Sequence, residues 1–297
     1  MFGNFIFFII ALLIYATYQT GEAPRFGPAA TLLSFFLLFF IYTLICRRYY
    51  DNITARHRAG EAASQLTHRF DAGQKRFTIY ALVVFTIDIY GLNLPDYFRF
   101  TPVFQTIPTL EALIFLALFI SYTAVAWNAA YTPHQNLFGK TMSRRAYITG
   151  HILFNLPVLL PWLALSTLID FINLLPFEGL KQFLGTTYGQ AIYFIVFLFL
   201  AAVLAPAIIQ VFWRCRPLPN GQDRRLIEAL CRRTGVKFAG ILRWPLFGGR
   251  MITAGVMGLV ARFRYLLVTD GPVSYTHLTL PTRCHRCWGR GGGGEGG

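Results

Sequence analysis

Six histidines, five cysteines and a few carboxylates set inside apolar runs are the residues of this chain able to do chemistry. Hydrolytic zinc sites need two His at i and i+4 on one helix face, with a Glu between them to activate water. Here His57, His68, His134, His151, His277 and His285 are followed by Arg, Arg, Gln, Ile, Leu and Arg, never by Glu, and no two lie four apart. Cys284-x-x-Cys287 with His285 offers half a metal site without a second pair, and the contiguous His cannot join the same tetrahedral shell. Cys46 and Cys215 stand at the ends of apolar runs and Cys231 in a basic helix, so no disulfide follows from the spacing. Asp88 is expected to be the one carboxylate well inside a membrane span, where an ionisable group is by default a functional-site candidate. His151 and Asn155, four apart, share one helix face. They are expected to hydrogen-bond to a neighbouring helix.

The elements that must carry these residues are mostly membrane spans. The chain is 55% hydrophobic and only 13% charged, against roughly 25% charged in soluble domains. Six apolar runs approach the ~20 residues needed to cross a bilayer: Phe2–Tyr18, Ala29–Cys46, Phe77–Leu94, Leu110–Trp127, Tyr147–Ile172 and Gln190–Trp213. The fifth is interrupted by Pro157 and Pro161 and the sixth by Pro206, which predict kinks. The first run has no basic start and no cleavage site, so it reads as a retained anchor. The net charge of +14 sits between the runs, as topology signals do, and this excludes a nucleic-acid partner. Connectors 47–76 and 128–146 and everything after Trp213 are rich in Arg and Lys. Arg25, Arg99 and Lys181 stand alone in the alternate connectors. The alternation predicts six spans with both termini cytoplasmic.

Residues 1–213 are thus expected to form a transmembrane bundle with cytoplasmic loops 47–76 and 128–146. After Trp213, two prolines and Asn220-Gly221 make a stiff exit, and Asp223 is placed to cap a helix ending at Gly235. Three short β-rich runs follow, Lys237–Leu242, Met251–Val256 and Tyr265–Val268, and read as an antiparallel meander. The fold class is therefore mainly α: a polytopic α-helical membrane protein followed by the start of an α+β domain at 214–271.

The helix, the run Thr253-Ala254-Gly255-Val256-Met257-Gly258 and the following Arg264-Tyr265-Leu266-Leu267-Val268-Thr269-Asp270-Gly271 resemble the entry to the membrane zinc metallopeptidases. The family is that of the CAAX-prenyl endopeptidases and the HtpX-like heat-shock proteases. Its members commonly carry Asn where this chain has Thr253. The resemblance implies that Thr253–Gly258 forms a substrate-edge strand and that a helix bearing His-Glu-x-x-His follows. It also implies zinc as cofactor, membrane or misfolded proteins as substrates, and residence in the bacterial inner (cytoplasmic) membrane. No zinc ligand and no catalytic residue is present in this chain. Residues 272–297 share none of the preceding pattern and end in low-complexity Gly. The run VSYTHLTLPT resembles translated sequencing-adapter read-through, so 272–297 is expected to be a non-native tail and the chain an incomplete enzyme. The alternatives are a six-span transporter, with Asp88, His151 and Asn155 lining one cavity, and a non-enzymatic scaffold whose basic loops touch anionic headgroups.

Overall fold

The architecture is that of a computed structural model, which describes residues 4–19, 26–98, 101–139, 142–176, 178–244, 254–258 and 260–269. Within them the chain is mainly helical, with a small sheet near its C-terminal end. Three helices are long and apolar enough to cross a membrane: α2 (Pro28–Arg58), α6 (Pro108–Phe138) and α10 (Thr187–Phe212). A fourth crossing is made if α7 (Arg144–Asn155) and α8 (Leu160–Leu174) count as one broken span. The expected first span is the 13-residue α1 (Asn4–Ala16). The third is the end of α3 (Ala63–Thr86), whose N-terminal half carries the basic residues of the preceding connector.

The connectors expected between the spans are largely helical. α2 runs unbroken from its apolar half through Arg47 and Arg48 to Arg58, turns at Gly60 (φ 83°), and the chain re-enters α3 at Ala63. α6 likewise continues to Phe138, and α7 packs back along it. Connector 47–76, whose Ala, Glu and Gln among basic residues read as a solvated or membrane-surface helix, is packed in the core instead, a difference that arises because hydropathy marks only the bilayer. The connector helices are held by apolar residues spaced among the charges: Tyr50, Ile53, Leu66, Phe70 and Tyr147 are all buried in one core. α2 and α3 approach closely at Gly73, where a Cβ would collide with the Tyr49 ring. The α7–α8 junction bends by 62° at Leu156-Pro157-Val158, as the prolines predicted.

At its C-terminal end α3 passes into a π-helical turn, Ile87–Gly91, and short helices α4 (Leu94–Phe98) and α5 (Pro102–Thr106) lead into α6. Asp170 of α8 accepts a hydrogen bond from the Thr109 N–H at 3.0 Å. It thereby caps the first turn of α6, and the Thr109 and Ser166 hydroxyls meet beside it at 2.5 Å. Helix α9 (Glu178–Gly185) returns the chain to α10, whose first turn is capped by Thr186.

Helix α11 (Gln222–Thr234) is capped by Gly221 with Asp223 in its first turn, so the N-cap falls two residues before the expected one. It stops at Gly235 as anticipated, in the left-handed region (φ 69°) where glycine bears no Cβ penalty. The strands are β1 (Arg216–Pro217), β2 (Gly240–Trp244), β3 (Ala254–Met257) and β4 (Tyr265–Thr269), in spatial order β1-β2-β4-β3. This corrects the simple meander. β3 and β4 pair antiparallel, but β4 inserts beside β2 in parallel register, with Ile241 opposite Leu266. Burial explains the placement. Leu266, Leu267, Val268 and Thr269 are all buried, as a strand covered on both faces requires. β3 is exposed from Ala254 to Val256 and takes the rim.

Candidate functional site

The sheet is a layer between two covers. Ile241, Leu266 and Val268 face α11, packing with Cys231 and Ile227. Leu242, Trp244 and Leu267 face the bundle, packing with Phe154 of α7 and Trp213 just after α10. The alternation along β2 and β4 produces both faces. The Trp213 and Trp244 rings stack at 4.3 Å and 10°. Phe154 stacks on Trp213 at 5.4 Å, and Phe5 of α1 on Phe154 at 4.9 Å. The Trp213 indole N–H donates to the Phe154 carbonyl at 3.2 Å. This aromatic column fixes the sheet to the end of the bundle.

β3 then stands at the free rim of a rigidly mounted sheet. Among the described residues no strand pairs with its outer side, and Val256 is 61% exposed. An edge of this kind offers unpaired N–H and C=O groups to an extended peptide. Gly258 (φ 113°) turns the chain toward β4, and a Cβ there would collide with the Phe263 carbonyl. The Arg264 guanidinium closes the turn by donating to the Gly258 carbonyl at 3.4 Å and the Lys237 carbonyl at 3.3 Å. Of the expected substrate edge, Ala254, Gly255, Val256, Met257 and Gly258 are therefore placed together, and Thr253 lies outside the described residues. Cys215 lies beside this junction, where burial pushes its thiol up to about 11, so it is a thiol and not a nucleophilic thiolate at neutral pH.

The polar residues of the bundle form separate groups. Asp88 is fully buried on the π-helical turn, a departure from α-geometry often found at functional sites. The Tyr122 hydroxyl of α6 donates to Asp88 Oδ2 at 2.6 Å, and Oδ1 has no hydrogen-bond partner among the described residues. Farther out, Tyr18 donates to Asp96 Oδ2 at 2.9 Å and Asn93 donates to the Tyr18 hydroxyl at 2.9 Å. Farther along α6, His151 stacks on Trp127 at 5.0 Å, and both His134 and His151 pack on the Tyr147 ring, whose hydroxyl accepts from Gln74 at 3.0 Å. Asn155 donates to the His151 carbonyl at 2.8 Å, one turn back in its own helix. This corrects the expectation that the Asn155 amide would bond across helices.

Asp88 and the His151–Asn155 pair do not converge. They contact Tyr122 and Trp127 of α6 respectively, which a five-residue separation places about 7.5 Å apart along the axis. Asp88 is not the one buried carboxylate of the spans, since Asp170 lies 7% exposed inside the fifth apolar run. Its signal was legible: an acidic residue amid Leu, Ile and Phe needs a donor, and an uncapped helix start supplies one.

Among the described residues no group of three or more His, Cys, Asp or Glu converges. His57 and His68 lie on α2 and α3 and are not buried, unlike His134 and His151. Cys284, His285 and Cys287 lie outside the described residues. No family model, curated protein or solved structure matches this chain.

Proposed function

We propose that the chain is the membrane-embedded N-terminal part of a zinc metalloendopeptidase, which hydrolyses membrane or misfolded proteins at the cytoplasmic face of a bacterial inner membrane. The observation that carries this reading is the exposed rim strand β3 on a sheet anchored to the bundle by Trp213 and Trp244. Such a strand can add a substrate segment by backbone pairing and hold it extended for cleavage. The metal-binding helix follows Asp270 in the native reading frame, and residues 272–297 replace it. The residues in hand supply substrate pairing and attachment to the membrane and none of the metal chemistry.

The bundle in this reading crosses the membrane six times with both termini inside. Support comes from lipid-facing apolar residues on the two weaker spans: Ile6, Ile9 and Leu13 on α1 and Ile79, Val83 and Ile87 at the end of α3 are all exposed. Arg47, Arg48, Lys75 and Arg76 border the same belt. Cysteine probes at Gly21 and Phe183 should be labelled from outside and one at Ala63 should not. The opposite pattern would invert the topology.

The decisive experiment is to clone the native frame past codon 270, purify its product and assay casein cleavage with and without a zinc chelator. The reading expects His-Glu-x-x-His on the next helix, one zinc per chain and chelator-sensitive cleavage, while the present chain shows neither. A frame that opens into another apolar span would replace the peptidase with the transporter. That second reading draws on Asp88, buried and half-bonded inside the bundle.

A further inference from the structure

Helices α8 and α10 leave between them a cavity of about 690 Å³, within the ~300–1,000 Å³ common for ligand sites. Its walls are Pro157, Pro161 and Phe171 on one side and Phe197, Leu204 and Ile208 on the other, with Thr167 the only polar side chain in its lining. Phe171, Leu204 and Ile208 also remain 56%, 44% and 42% exposed, so the cavity is an open groove. The bend at Pro157 opens it by swinging α8 away from the line of α7.

Inside a bilayer such a groove cannot stay empty. A void deprives its lining of dispersion contacts, and its carbon walls hold no water. Lipid tails are as apolar as leucine, so no hydrophobic force closes the two helices on each other. The groove runs along α10 from Phe197 to Ile209, about 18 Å at 1.5 Å per residue. One leaflet is half of a ~30 Å hydrocarbon core, so that length suits a single acyl chain. Its inner end has a charge complement. Arg214, held at φ 51° where α10 terminates, and Arg216 on β1 are exposed. Neither has an ion pair among the described residues.

We propose that this groove holds one acyl chain of an anionic phospholipid from the cytoplasmic leaflet, with the headgroup against Arg214 and Arg216. The lipid is then a resident part of the fold, filling the space beside the sparse contact of α8 and α10, where the Tyr193 hydroxyl donates to the Leu165 carbonyl at 3.1 Å. This inference rests on membrane insertion and on the cytoplasmic placement of Arg214 and Arg216 proposed above, and is independent of any peptidase activity.

The test is native mass spectrometry of the full chain, purified in mild detergent, delipidated and titrated with phosphatidylglycerol or phosphatidylcholine. Wild type should retain one phosphatidylglycerol. Ala205→Trp, which fills the groove from α10, should abolish that adduct while circular dichroism stays unchanged. Arg214→Gln and Arg216→Gln should each weaken phosphatidylglycerol binding about fivefold and leave phosphatidylcholine untouched. If Ala205→Trp fails to fold, the arginine variants, outside the span, decide the matter. Equal affinity for the two lipids in wild type, an adduct that survives in folded Ala205→Trp, or an arginine variant with full preference would each overturn the proposal. A dimer mass without lipid would assign the groove to a second copy of the chain and overturn it as well.

Discussion

Helices α6 and α10 are both apolar enough to span a membrane, yet 44% of the apolar window of α6 is buried and only 6% of that of α10. α6 is the axis of the molecule. Phe115, Phe119, Tyr122, Trp127 and Ala130 are all buried, with Phe8, Phe85 and Tyr42 closing on them from α1, α3 and α2. α10 shows Ile195, Phe199 and Val211 to its surroundings at 64%, 67% and 71% exposure. The difference teaches that apolarity does not report burial in lipid. What marks the interior helix is its polar and small residues: Thr109, Thr123, His134 and Tyr122 all point inward because only protein can satisfy them.

The comparison can be broken by matched truncations. Phe119→Ala should lower stability by about 3–5 kcal/mol through loss of a fully buried ring. Phe199→Ala, on the exposed face of α10, should change it by less than about 0.5 kcal/mol. Thermal unfolding of both variants in the same detergent gives the answer, and equal losses would show that α10 is packed against something in solution.

A smaller effect sharpens the inner half of the contrast. Tyr122→Phe should cost about 1–3 kcal/mol because it strips Asp88 of its one hydrogen-bond donor among the described residues and leaves the carboxyl buried. Asp88→Asn keeps an acceptor for the Tyr122 hydroxyl and has no cation partner to lose among the described residues. It should be neutral or stabilising, as removal of an uncompensated buried acid often is. A large loss in Asp88→Asn would show that a cation or an ordered polar partner sits at Oδ1.

The smallest expected effect lies where the two regions are tied. Asp170→Ala removes the carboxylate cap from Thr109 and should cost about 0.5–2 kcal/mol. Amide exchange should rise in the first turn of α6 and leave α10 unaffected. Protection lost along α10 instead would mean that α8 holds α10 more firmly than their sparse contact indicates.

The legible parts of the fold are those set by local chemistry. The apolar halves of α2, α6 and α10, the proline bend before α8 and the Gly235 stop of α11 all follow from residues within one or two turns. What escaped depends on distant partners. Arg47 and Arg48 read as the end of a span, but Tyr50, Ile53, Leu66 and Phe70 carry the helices on as a packed hairpin. β4 looked like the last strand of a meander, and its uninterrupted Tyr265–Val268 run was the overlooked sign of a strand covered on both faces. Among the candidate polar residues, Asp88 was found from its position alone. Its partner Tyr122 lies 34 residues away and could not be inferred.

The stacking of Phe5 on Phe154 also has a bearing on biogenesis. Phe5 of α1 finds this partner only 149 residues later in the chain, which at about 5–20 residues per second is a wait of roughly 7–30 s. Within that interval α3 and α6 emerge and cover the Phe8 side of α1, which packs on Phe119, while Phe5 waits for α7. Phe5 is thus a reporter of the moment at which a nascent chain becomes a closed bundle.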